Sequence, residues 1–64
     1  MNSIDERNTR LRKNVLDWME REDRPQSWIA RKTGLFVSLI TQWLKQEREL
    51  SNTQLGQIEQ FISK

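Results

Sequence analysis

Ser38, Thr41, Gln42 and Lys45 are the residues whose types and spacing suggest chemistry. On a helix at about 100° per residue they share a polar sector roughly 100° wide, with Phe36, Ile40, Trp43 and Leu44 on the other side. The sector holds two hydroxyls, one carboxamide and one cation, and no acid. Such groups suit hydrogen bonding to base edges and phosphates, and they equally suit an ordinary solvated face. Other chemistries have little to work with. The chain has no histidine and no cysteine, so the usual general base near neutral pH, the usual zinc ligands, thiolates and disulfides are missing. There is no glycine-rich phosphate loop and no room for a pocket-sized core. Neither an enzyme, nor a metal, nor a cofactor is expected.

The elements that would position this sector lie in residues 26–45, QSWIARKTGLFVSLITQWLK. Small Ala30 allows two helices to cross closely, and Gly34 permits the tight turn between them because it adopts positive φ without a Cβ clash. Ile40 and Trp43 would pin the second helix to a core while its polar side stays free. That spacing predicts a helix-turn-helix.

Around it the chain reads as all-α, a compact bundle of four or five short helices in a single domain over residues 1–64. Helix 1 is expected from Ile4 or Asn8 to Glu22, with Ser3 and Glu6 at capping-box spacing and an apolar stripe of Leu11, Val15, Trp18 and Met19. Leu16 lies off the stripe, and Pro25 ends the helix. Helix 2 is expected from Pro25 or Gln26 to Thr33, helix 3 from Val37 to Gln46, and helix 4 from Ser51 or Asn52 to Ser63. Ser51 and Gln54 form a second capping-box spacing, Leu50 and Leu55 a hydrophobic staple, and Leu55, Ile58, Phe61 and Ile62 the last stripe.

Sixty-four residues with eleven Lys/Arg against nine Asp/Glu give a net charge of +2. That permits nucleic-acid binding without demanding it. A chain this short buries only about 60% of its unfolded surface, so a homodimer is a reasonable expectation. No apolar run approaches the roughly 18 residues that span a bilayer, and the start, MNSIDERNTR, lacks the apolar core of a secretion signal. A cytoplasmic location away from membranes is therefore expected.

Gln26, Ile29, Ala30, Thr33-Gly34-Leu35, Ile40 and Trp43-Leu44-Lys45 resemble the Cro-type and lambda-repressor-like regulators, also called the XRE type. The following stretch, Glu47 to Ile62, looks like that family's next helix. The resemblance covers about two-thirds of the chain. It implies a DNA-binding regulator of transcription, a small repressor of phage or mobile-element type, with helix 3 in the major groove of a palindromic operator. It further implies base reading by Val37, Ser38, Thr41, Gln42 and Lys45, with Gln42 suited to adenine. Phosphate contacts would come from Gln26, from Arg10 or Lys13, and from Arg48. Two positions depart from the family pattern. Phe36 and Val37 stand where polar residues are usual, which removes a helix cap worth about 0.5–2 kcal/mol. Gln46 stands where the family tends to have glycine.

Phe36 and Val37 have three open roles: core, contact with thymine methyls, or an apolar patch for a protein partner. The last defines a second expectation, a protein-interaction module such as an antirepressor or antitoxin, using Phe36, Val37, Leu39 and Trp28. Trp18 and Trp43 are expected in the core, and Trp28 partly buried. Phe61 is the candidate for a dimer contact. Arg7 and Arg12 are expected to be solvated, and Glu6 and Arg10 to pair across one helical turn.

Overall fold

Residues 3–62 are described by the structure, a computed structural model. They form four helices: α1 (Ser3–Glu22), α2 (Gln26–Thr33), α3 (Val37–Leu44) and α4 (Asn52–Ile62). None of them is long and apolar enough to cross a membrane. The expected capping box of α1 depends on the Ser3 side chain, which lies outside the described residues.

Chain punctuation follows backbone sterics. Asp23, at φ 54°, takes the left-handed position after α1, and the Arg24 N–H returns to the Met19 carbonyl at 3.1 Å. That six-residue closure is a Schellman motif. Gly34 ends α2 at φ 81°, its N–H bonding the Ala30 carbonyl at 2.9 Å. Thr33 completes this turn, its hydroxyl donating to the Ile29 carbonyl and accepting from the Leu35 N–H. A second Schellman motif closes α3, where the Gln46 N–H bonds the Trp43 carbonyl and the Glu47 N–H bonds that of Gln42. Gln46 takes the left-handed position there at φ 65°. This shortens α3 by two residues from the expected end: Lys45 caps it and Gln46 turns the chain.

The core gathers one stripe from each helix: Leu11 and Val15, Ile29 and Ala30, Ile40 and Trp43, then Leu55, Ile58 and Ile62, joined by Leu50 from the loop. Trp18, Met19, Trp28, Leu35, Leu39 and Leu44 pack against it with part of their surface in solvent. Trp18 therefore sits at the core's edge, its ring 5.2 Å from that of Trp28. The capping box of α4 forms as expected, with Ser51 and Gln54 exchanging side-chain bonds to each other's backbone N–H.

α1 meets α3 through a polar node. Asn8 is wholly buried and all its bonding capacity is used. Its Nδ2 donates to the carbonyls of Ile4 and Leu50, and its Oδ1 accepts from the Leu50 N–H and from the Trp43 indole. One turn on, Arg12 is buried too, which corrects the expectation that it is solvated. Its Nε donates to the Trp43 carbonyl at 2.6 Å, its Nη2 reaches Glu49 at 3.3 Å, and its guanidinium lies 5.5 Å from the centre of the Trp43 ring. The cause is the C-terminus of α3, whose partly unsatisfied carbonyls and negative dipole end attract a cation.

Arg7 also departs from the solvated expectation. It is half-buried and bonds both oxygens of Glu59 and the side chain of Asn52, joining α1 to α4. The Glu59 hydrogen bond raises its pKa above the ordinary arginine value. The expected Glu6–Arg10 pair is not formed: among the described residues the ion pairs are Arg7–Glu59, Arg12–Glu49 and Arg21–Glu22.

Candidate functional site

The candidate site is the outer flank of α3. Ile40 and Trp43 are wholly buried, which fixes the rotation of the helix. Trp43 is held at its ring, its indole N–H and its carbonyl by two residues of α1, so α3 cannot roll or slide without breaking these bonds. The residues on the other side are consequently presented outward. Ser38, Gln42 and Lys45 are exposed, and Thr41 is half-buried. No acidic residue lies on α3.

Thr41 has a partner on α2. The Gln26 Nε2 donates to the Thr41 Oγ1 at 2.6 Å. Gln26 thus braces the outer flank of α3, and its amide nitrogen retains a second hydrogen for another acceptor.

At the start of α3 no side chain caps the helix, as the residue types imply. Phe36 is instead 79% exposed and Val37 45% exposed, which excludes the core as their place. Both line a shallow groove with Ser27, Ala30, Arg31 and Leu35, between the start of α3 and the flank of α2.

Among the phosphate candidates, Arg10, Lys13 and Arg48 are all exposed. Lys13 lines a cleft with Thr9, Arg12, Leu16 and Gln46, which places it beside the end of α3. Arg48 follows in the loop between α3 and α4. Arg10 instead shares a depression with Asp5 and Glu6, whose charges oppose its own. Lys13 is therefore the better of the two α1 candidates.

No family model, curated protein or solved structure matches the chain. The site therefore stands on its own geometry.

Two further features lie outside the expected site. Trp28 is flanked by two cations, with Arg24 of the loop before α2 5.1 Å and Lys32, one turn further along α2, 5.6 Å from the ring centre. The four-residue spacing of Trp28 and Lys32 on α2 signals the second contact, whereas Arg24 precedes the helix and no helical spacing encodes its contact. Phe61 is 36% exposed near the end of α4, while Ile62 beside it is buried.

Proposed function

We propose that this chain is a sequence-specific DNA-binding regulator of the lambda-repressor-like helix-turn-helix type, with α3 as its recognition helix. One observation carries the proposal. The flank of α3 opposite Ile40 and Trp43 is accessible, free of acids and made of groups that bond base edges. A rigidly held helix with such a flank matches what major-groove insertion requires.

In this proposal Gln42 reads adenine, Ser38 and Thr41 bond base edges, and Lys45 reaches a guanine or a phosphate. Lys13, Arg48 and Gln26 hold the flanking phosphates. One short helix reads only a few base pairs. Useful specificity therefore calls for two copies on a palindrome, half-sites about one helical turn apart, with Phe61 as the dimer contact. Repression would follow from occupying the operator. Titration against duplex DNA at several salt concentrations tests this. Affinity is expected to fall steeply as salt rises, because bound phosphates release counterions. A flat titration with every duplex at low salt refutes it.

The exposure of Phe36 and Val37 favours a second reading, an antirepressor- or antitoxin-like module that binds a protein through this end of α3. Loss of partner binding in Phe36→Ala, with Gln42→Ala and Lys45→Ala silent, would select it.

A further inference from the structure

Two hydroxyls in this chain are used in opposite ways. Thr33 spends its hydrogen on the Ile29 carbonyl one turn back, as helical threonines commonly do. Thr41 makes no such bond among the described residues; its Oγ1 accepts from Gln26 instead. Its own hydrogen is left for an outside acceptor, and accepting a bond polarises the hydroxyl as a donor. Val37 lies four residues before Thr41, so their side chains are neighbours on the helix surface. Val37 keeps 45% of its surface in solvent. The flank therefore presents an apolar group and a hydroxyl donor side by side.

We propose that Val37 and Thr41 together select thymine at one operator position, with Gln26 as the positioning residue that sets the Thr41 hydroxyl as donor. This rests on the DNA-binding proposal above. Thymine alone among the four bases offers the matching pair in the major groove, the O4 acceptor beside the C5 methyl. Adenine and guanine carry no methyl, and cytosine offers an amino donor where an acceptor is needed.

The test begins by selecting bound duplexes from a random pool with the wild-type chain. The thymine of the enriched site that responds to Thr41→Val is then replaced. Uracil removes the methyl and keeps O4, and binding should weaken about 4-fold, the worth of one buried methyl. A 5-methylcytosine·guanine pair keeps the methyl and exchanges the acceptor for a donor, and binding should weaken at least about 5-fold, as for a mismatched base pair.

Gln26→Glu gives a readout that a merely structural role would not move. The carboxylate only accepts, so it takes the Thr41 hydrogen and leaves a hydroxyl lone pair facing the groove. Preference at that position should then shift from thymine to adenine or cytosine, which offer amino groups. An enriched site in which no thymine responds to Thr41→Val, or in which uracil and 5-methylcytosine bind as thymine does, overturns this inference and leaves DNA binding standing. Unchanged base preference in Gln26→Glu overturns the role given to Gln26. A pool that yields no enriched sequence overturns DNA binding and the thymine assignment together.

Discussion

The Trp43 indole donates to the Asn8 Oδ1 at 2.9 Å, and this bond ties the buried side of α3 to the first helix. Its consequence extends to the exposed flank of α3. Gln42 directly precedes Trp43 and Lys45 follows two residues later, so whatever holds the indole also sets where they point.

Asn8→Leu tests that hold. It keeps the branched side-chain shape, adds some bulk at a wholly buried position, and leaves the Trp43 indole and the Leu50 N–H buried without their acceptor. Each buried unsatisfied group costs about 1–3 kcal/mol. The expected loss is about 3 kcal/mol or more, a large share of the stability of so small a domain. Urea unfolding followed by circular dichroism reads it, and a loss under about 1 kcal/mol would contradict the role given to Asn8.

Arg12 and Arg7 separate by burial. Arg12→Met keeps much of the apolar stem and removes the donor to the Trp43 carbonyl, and should cost about 1.5–3 kcal/mol. Arg7→Met removes a half-exposed ion pair and should lower the melting temperature much less. Equal losses would mean that burial does not separate the two.

The left-handed positions carry opposite signs. Gly34→Ala has open space around the new methyl, so its cost is torsional, about 1–2 kcal/mol. Gln46 already bears that strain at φ 65°. Gln46→Gly should therefore stabilise by about 0.5–1 kcal/mol. Thermal melts of both variants check the pair of signs.

Gly56 lies within α4, and its nearest neighbour to an added Cβ is the Arg7 Nη2 at 3.8 Å, an ordinary contact. Gly56→Ala should raise stability by about 0.5–1 kcal/mol through helix propensity. Destabilisation in a thermal melt would show that the Arg7–Glu59 bridge needs the space.

Much of the fold is legible in residue types. Pro25, Gly34 and the Ser51–Gln54 spacing mark helix ends through backbone sterics and capping, and the apolar stripes locate Ile40, Trp43, Leu55 and Ile58. Asn8 and Arg12 are harder to see, because a stripe defined by apolar residues passes over polar ones. Their spacing is the available signal: Asn8, Leu11, Arg12 and Val15 continue one helical face. What spacing cannot convey is that the end of α3 and an indole N–H wait opposite. The exposed flank of α3 is legible for the same reason as the core, since burying Ile40 and Trp43 leaves Ser38, Gln42 and Lys45 outside. The Gln26–Thr41 bond joins two helices across a turn, and no periodicity within either one encodes it.

Gln42→Ala combined with Lys45→Ala tests DNA reading by α3 most directly. Both residues are exposed, so the double variant should keep the wild-type melting curve. On a duplex selected by the wild-type chain, fluorescence anisotropy should show affinity reduced about 10-fold or more. A folded double variant that binds as tightly as wild type, or a wild-type chain that binds no duplex at low salt, would contradict it.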